Sequence, residues 1–263
     1  MPTPADVRER GAHDLADPVW IRRIVEASGA TAGETVLDAG AGFGALTRPL
    51  SDAVQPGGRV VAIENDPVRA AALRDLALRA VDVLEGDALS VTLPTPTHAV
   101  VANPPFRILP GLLRRWIEHG VGRILVVAPG ELAERLTAKP GDERYGKLSV
   151  EVALRAKAEI PFWIPRGAFD PRPDVTCALV ELTPKPCDVP LDALELVLDA
   201  AWERSHQNLR HALAPLAKQL DLPPQAITEA LSWSQASQRK FAQVAPYEFG
   251  VIAKGLASKI AAP

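Results

Sequence analysis

Residues 103–106 of this chain read Asn-Pro-Pro-Phe, directly after an apolar run, His98-Ala99-Val100-Val101-Ala102, that has the look of a buried strand. An amide side chain, a ring-locked turn and an aromatic together suit demanding chemistry, the steadying of a planar nitrogen while it attacks a methyl group. The exocyclic amine of a purine, like a carboxamide, is a poor nucleophile because its lone pair is delocalised into the π-system. The Asn103 side-chain oxygen and the Pro104 carbonyl can accept hydrogen bonds from its N–H groups. Phe106 can lie flat on the substrate plane, and the two prolines fix φ and so hold the carbonyls in place. The same tetrapeptide also makes an ordinary strand-to-loop turn, so the residues upstream must decide.

Upstream, carboxylates stand at the ends of three successive apolar runs. Thr35-Val36-Leu37-Asp38-Ala39 leads into Gly40-Ala41-Gly42-Phe43-Gly44, a strand entering a glycine turn and then a helix. Glycines there permit positive φ and close approach of the backbone to a ligand. The spacing differs from the Gly-x-Gly-x-x-Gly dinucleotide fingerprint. Asp38 suits a ligand carrying a positive amino group better than one carrying phosphates. Glu64 closes Val60-Val61-Ala62-Ile63 and can bind both hydroxyls of a ribose. Asp87, within Glu85-Gly86-Asp87-Ala88, can accept from an adenine amino group. Any one of these acids alone reads as a helix cap or turn residue. Three in consecutive strand–turn units, followed by Asn103 on the next, imply S-adenosyl-L-methionine as the ligand, bound beyond the carboxyl ends of the strands. Asn65 and Ala88, adjoining Glu64 and Asp87, join Asp38, Gly40, Gly42 and Asn103 in the candidate cofactor set.

The elements that must position these residues alternate short apolar runs with longer amphipathic segments from Thr35 to Leu182, the pattern of a doubly wound α/β sheet. The expected strands are Thr35–Ala39, Arg59–Glu64, Val81–Glu85, His98–Ala102, Arg123–Ala128, Val150–Ile160 and Thr176–Leu182, the Val150 segment being equally readable as helix that becomes strand. Pro67–Leu78, Leu109–Glu118 and Gly130–Leu136 are expected helices. The Pro-rich stretch 183–190 reads as a connector. Beyond it Leu191, Leu194, Leu198, Ala201, Trp202 and Leu209 recur at helical spacing, and helices are expected at Pro224–Leu231 and Pro246–Ile260. The expected division is a catalytic domain over 1–184, with residues 1–30 as an N-terminal helical lid, and a helical C-terminal domain over 185–263.

Composition narrows the classes. The 263 residues are 47% hydrophobic and 23% charged, which is ordinary for a globular chain. No uncharged apolar stretch approaches ~18 residues, so no membrane span is expected, and the N-terminus lacks an apolar leader core. A cytoplasmic protein is the expectation. Cys177 and Cys187 form no Cys-x-x-Cys pairing, so neither a metal site nor a disulfide framework is indicated. The formal net charge of −3 runs against a protein that coats bare nucleic acid.

The chain resembles the KsgA/Erm family of ribosomal RNA adenine N6-methyltransferases, and within it the KsgA-type dimethyltransferases. The resemblance rests on Gly11–Asp17, the Gly40 loop, Glu64, Gly86-Asp87-Ala88, Asn103–Phe106, Ala138–Gly141 with Tyr145–Ser149, Gly167–Val175 and Pro246–Phe249. It implies a Rossmann-like class I S-adenosylmethionine-dependent methyltransferase domain followed by a small all-helical C-terminal domain. It further implies that His13, Leu15, Gly40, Glu64, Asp87 and Asn103 bind the cofactor, and that Asn103, Phe106 and Phe169 hold the target adenine, to which the reading of the turn adds the Pro104 carbonyl. The implied partner is small-subunit ribosomal RNA or a pre-ribosomal small subunit, met by a monomer. The chain departs from the family at Ala12, where a Gln is usual, and at Asp14, where an aromatic is usual. Phe106 replaces a frequent Tyr, and Trp202–Arg210 replaces a strongly basic run.

Three other readings compete. Asn-Pro-Pro-aromatic motifs also serve glutamine N5-methylation of proteins, but such enzymes carry their substrate domain before the catalytic fold, whereas here the extra domain follows it. An Erm-type large-subunit enzyme is closer kin; the Tyr145–Ser149 segment and the C-terminal helices favour the small subunit. A ribosome-assembly factor with little turnover would not need the intact Gly40, Glu64, Asp87 and Asn103 set.

Overall fold

The computed structural model describes residues 13–260. Gly11 and Ala12, with the rest of the first twelve residues of the expected lid, lie outside that range. In chain order the elements are β1 (Asp14–Leu15), α1 (Pro18–Ser28), β2 (Thr35–Ala39), α2 (Thr47–Ala53), β3 (Arg59–Glu64), α3 (Pro67–Asp75), β4 (Val81–Glu85), β5 (Ala99–Ala102), α4 (Leu109–Glu118) and β6 (Arg123–Pro129). Then come α5 (Gly130–Thr137), α6 (Lys147–Arg155), β7 (Ala156–Ile164), β8 (Phe169–Asp170), β9 (Cys177–Pro184), α7 (Leu191–Glu203), α8 (Leu209–Leu213), α9 (Pro215–Gln219), α10 (Pro224–Ser232) and α11 (Pro246–Ile260).

Strands that are apolar on both faces must be covered on both faces, and that requirement sets the sheet order. Every residue of β2 and of β5 is buried, and these strands take the middle of a seven-stranded sheet ordered β4-β3-β2-β5-β6-β9-β7. Strands β4 through β6 in that order run parallel, with Leu37 opposite both Val61 and Val100. β9 turns antiparallel on β6, pairing Val126 with Val180. β4 and β7 are the edges, and both leave alternate or most side chains partly in solvent. Pro161 lies within β7, and an edge strand is where a proline is tolerated. The Val150–Ile160 segment divides at Arg155: helix before it, strand from Ala156 onward.

Helix starts follow local chemistry. Asp17 caps α1 by accepting from the Val19 amide at 2.8 Å, and Asp66 caps α3 by accepting from Val68 and Arg69. A proline occupies the first turn of each, where no N–H is needed. Among the described residues no helix is long and apolar enough to cross a membrane.

The chain divides into two compact units, and here the structure departs from an unbroken 1–184 domain. One unit holds residues up to Ala133 together with Ala158–Pro184; the other holds Glu134–Lys157 with everything from Lys185 onward. Segment 134–157 goes with the C-terminal helices because its apolar side chains pack there: Tyr145 and Val150 share a core with Leu194, Leu198, Phe241 and Phe249. The Tyr145 hydroxyl donates to the Val244 carbonyl at 2.7 Å, and the Ser149 hydroxyl donates to the Arg135 carbonyl at 2.6 Å. Tyr145→Phe leaves the buried Val244 carbonyl without its donor, a loss of about 1–2 kcal/mol. Amide hydrogen exchange in α7 and α11 is expected to quicken by about 5- to 30-fold; unchanged protection there would show that the hydroxyl contributes nothing.

Candidate functional site

A parallel sheet presents the ends of neighbouring strands on one edge, so Asp38, Glu64 and Asn103 converge although they are far apart in sequence. Glu64, the last residue of β3, is buried, and two backbone amides hold its carboxylate: Gly42 donates to Oε2 at 2.8 Å and Asp66 to Oε1 at 2.9 Å. Each oxygen keeps a further lone pair for a ligand hydroxyl. Gly40 has φ of +76°, and a Cβ there would stand 3.2 Å from both Pro104 Cα and Pro105 Cδ. The positive φ and that close contact both favour glycine here: the first glycine loop lies directly on the Pro-Pro turn.

Asn103 follows β5 at once and is the hinge of the site. Its Nδ2 donates to the His13 carbonyl at 2.7 Å, while its Oδ1 is buried and has no hydrogen-bond partner among the described residues. His13 is in turn tied to Pro171: a carbonyl only accepts, so Nδ1 carries the proton and donates to Pro171 O at 2.9 Å. The imidazole lies 5.7 Å from the Phe106 ring, tilted by 31°. β1 pairs antiparallel with β8, setting Leu15 opposite Phe169, and the Ala16 and Asp17 amides donate to the Ala168 carbonyl. Residues His13–Leu15 thus form a strap across the mouth of the cleft.

Two cavities lie along this strap, each within the size range usual for small-molecule sites. One, of about 710 Å³, is lined by His13, Gly40, Glu64, Asn65, Asp87, Ala88 and Asn103. The other, of about 720 Å³, lies against α1 and is lined by Leu15, Asp38, Gly40 and Asn103, with Asp170 of β8. They share Asp14, Gly40 and Asn103. An adenosyl group with ribose hydroxyls fits the donors and acceptors of the first cavity, where Glu64 and Asp87 present oxygens and the Gly40 backbone leaves room.

The remaining expected residues sit elsewhere. Gly42 lines neither cavity and acts through its amide on Glu64. Pro104 is buried beneath Gly40, and no described residue donates to its carbonyl. Phe106 is half-buried and packs on the core that contains Phe169. Phe169 corrects the sequence reading: it is 2% exposed, so it offers no free ring face to a base. Pairing with β1 draws it into the core with Leu15, Ile164 and Ala168. Sequence reasoning missed Arg69 as a wall of the first cavity and treated Asp14 only as a departure; Arg69 Nη1 donates to Asp14 Oδ1 at 2.9 Å. The available signal was an acid in the N-terminal motif at a position that then needs a cation.

A family profile described as "Ribosomal RNA adenine dimethylase" matches residues 8–245. The probable ribosomal RNA small subunit methyltransferase A of Thermococcus kodakarensis is 34% identical over 243 residues, spanning 91% of this chain and 86% of that protein. Among solved structures, a dimethyladenosine transferase from Plasmodium falciparum superposes with a TM-score of 0.83 at 21% identity, over 94% of this chain and 98% of that one, a likeness of fold. The 23S rRNA methyltransferase ErmE superposes with a TM-score of 0.70 at 25% identity, over 92% and 99% of the two chains.

The buried Asp38 makes stability depend on pH in a fixed sense. Desolvation pushes its carboxyl from 3.8 up to about 7; the Thr47 hydroxyl, which donates to Oδ2 at 2.6 Å, opposes the rise and the Glu64 charge adds to it. An acid whose folded pKa is raised holds its proton more tightly folded than unfolded. Stability is therefore lost as pH climbs from 3.8 to about 7, and the loss is complete above that. Asp38→Asn keeps an oxygen for Thr47 but cannot ionise, so it gains on the wild type across that range, by up to about 4 kcal/mol. In ligand-free thermal melts the advantage should be small near about pH 5 and large near about pH 8. An equal advantage at both would mean that the carboxylate is not penalised by burial.

Proposed function

Because this chain belongs to the ribosomal RNA adenine dimethylase family, we propose that it transfers methyl groups from S-adenosyl-L-methionine to N6 of adenosines in small-subunit ribosomal RNA, giving N6,N6-dimethyladenosine. The observation that carries this reading is the Asn103 carboxamide, with its nitrogen committed to the His13 carbonyl and its buried oxygen left to accept. On this reading the protein works as a monomer in the cytoplasm, in the maturation of the small subunit.

Bound in the cleft, S-adenosyl-L-methionine supplies a methyl group made electrophilic by a sulfonium. Glu64 takes the ribose hydroxyls with the lone pairs its two amide donors leave. Asp87, whose Oδ1 already accepts from the Leu89 amide at 2.9 Å, receives the adenine amino group on its other oxygen. Asp38 faces the ammonium, whose charge favours the ionised carboxylate. Asn103 Oδ1 and the Pro104 carbonyl take the two N6 hydrogens of the target base, which localises the nitrogen lone pair toward the methyl. Phe106 stacks on the base, which must leave its helix to reach the site; such stacking contributes about 1–3 kcal/mol. Most of the acceleration comes from position. The N6 proton leaves after transfer, when the nitrogen is cationic and acidic, so no side chain has to act as a base beforehand. N6-methyladenosine keeps one N–H, for which one acceptor suffices in the second round.

The test is to incubate the protein with labelled S-adenosyl-L-methionine and, separately, undermethylated small subunits, large-subunit RNA and a release factor, then digest and identify the labelled residue. Label in N6,N6-dimethyladenosine of small-subunit RNA is expected. Label in large-subunit RNA would move the protein to the branch of the 23S enzyme, and label in glutamine would end the nucleobase reading. Glu64→Ala should chiefly weaken cofactor binding, about tenfold or more, whereas Phe106→Ala should chiefly lower kcat, by roughly 5- to 150-fold. Equal cofactor affinity in wild type and Glu64→Ala would contradict the ribose assignment.

A further inference from the structure

The strap over the cleft is anchored on two sides, and the second anchor brings in Arg69, a residue outside the motifs. On one side it is tied to β5 and the Phe169 loop: by Asn103 at the His13 carbonyl, by Pro171 at the His13 ring, and by the Ala168 carbonyl at Ala16. On the opposite side Asp14 meets Arg69 of α3, the helix that starts just after Glu64. The bond is short and partly desolvated, the Arg69 side chain being 13% exposed and that of Asp14 34%. The guanidinium lies over the Phe43 ring, 4.9 Å from its centroid. Arg69 lines the first cavity, Phe43 the second, and Asp14 both, so the cluster stands where the two cavities meet.

The same cluster rests on the backbone that orients Glu64. Gly42 has φ of +58°, and a Cβ on it would come within 3.2 Å of Asp14 Oδ1 and 3.3 Å of Arg69 Nη1. The Gly42 amide is the donor to Glu64 Oε2. The ion pair is therefore packed on the loop that aims the ribose-binding carboxylate, while its Asp14 end closes the strap.

We propose that Asp14 and Arg69 form a latch that holds the strap closed over the cofactor, with Arg69 a positioning residue for cofactor retention. The inference rests on the reading that S-adenosyl-L-methionine occupies the Glu64 cavity. A charge-assisted bond at a partly buried site is stronger than an exposed ion pair, and Phe43 adds a cation–π contact that fixes the guanidinium plane. With the pair broken, the strap keeps its anchors at Asn103, Ala168, β8 and Pro171 but loses the one at α3. The consequence is kinetic: cofactor escapes faster, and the chemistry at Asn103 is less affected.

The experiment measures the equilibrium dissociation constant and release rate of tritiated S-adenosyl-L-methionine, with KM and kcat on undermethylated small subunits. It compares wild type with Asp14→Asn, Arg69→Gln, the double variant, Arg69→Lys and the charge exchange Asp14→Arg with Arg69→Asp. Each neutral single variant should release cofactor about tenfold faster and raise its KM more than it lowers kcat. The double variant should be no worse than either single, because both remove one bond. Arg69→Lys and the charge exchange should recover part of the loss. Unchanged release in both singles would overturn the latch. So would a double variant whose loss is the product of the two single losses, or a fall in kcat with KM unchanged. Failure of the wild type to bind S-adenosyl-L-methionine would instead overturn the reading on which the latch rests.

Discussion

The two ends of the Asn103 carboxamide have different obligations. Donation from Nδ2 to the His13 carbonyl fixes which way the amide faces, since the flipped amide would set oxygen against oxygen. Oδ1 is thereby left buried with no partner among the described residues. A buried acceptor in that condition costs about 1–3 kcal/mol, and a ligand N–H offsets the cost only where Oδ1 points. The orientation of the acceptor thus depends on the strap, because the His13 carbonyl is what holds the amide nitrogen.

From that dependence the rest of the cleft follows. His13 is held by Pro171, the Pro171 loop is held through Phe169, and Phe169 is held by burial against Leu15 of the same strap. The aromatic that sequence reasoning sets beside the base is packed instead in the core with Leu15, Ile164 and Ala168. Gly40 closes the circuit from below, since its position against Pro104 and Pro105 leaves little space between the glycine loop and the Pro-Pro turn. Glycine loop, Pro-Pro turn and strap are consequently one packed arrangement around Asn103.

What is readable in the sequence is whatever depends on neighbours in the chain. The runs Thr35–Ala39 and Arg59–Glu64 are strands because they are apolar nearly throughout, and the acids at their ends fall at the mouth because parallel strands end together. Pro67 and Pro18, each after an aspartate, announce helix starts. What is not readable depends on partners far along the chain. His13 and Pro171 are 158 positions apart, and Asp14 and Arg69 are 55; no local pattern encodes either meeting. Phe169, flanked by Gly167 and Pro171, has the surroundings of an exposed loop aromatic, and only its pairing with β1 makes it core. Continuity along the chain puts segment 134–157 in the first domain, whereas its side chains find their apolar partners among the last helices.

Net charge misleads for a similar reason: it averages over groups with different work. Asp14, Asp38, Glu64, Asp66 and Asp87 all stand on the two cavities, together with Arg22, Arg48, Arg69 and Arg107, so much of the chain's charge of both signs is gathered in the cleft. Charges gathered in the cleft say little about how the outer surface meets a polymer. The Trp202–Arg210 stretch is the harder case, since it lacks a basic run and Arg204 is already paired with Glu203 at 3.3 Å. It does present Trp202, 45% exposed, with its ring edge-on to Phe241 at 5.2 Å. A ring braced from behind and open in front loses little freedom when something flat is laid on it, whereas a long basic side chain must be immobilised to hold a phosphate. A surface poor in cations is for that reason not a surface poor in means of holding a base, and the acidic composition of this chain carries little weight against a nucleic-acid substrate.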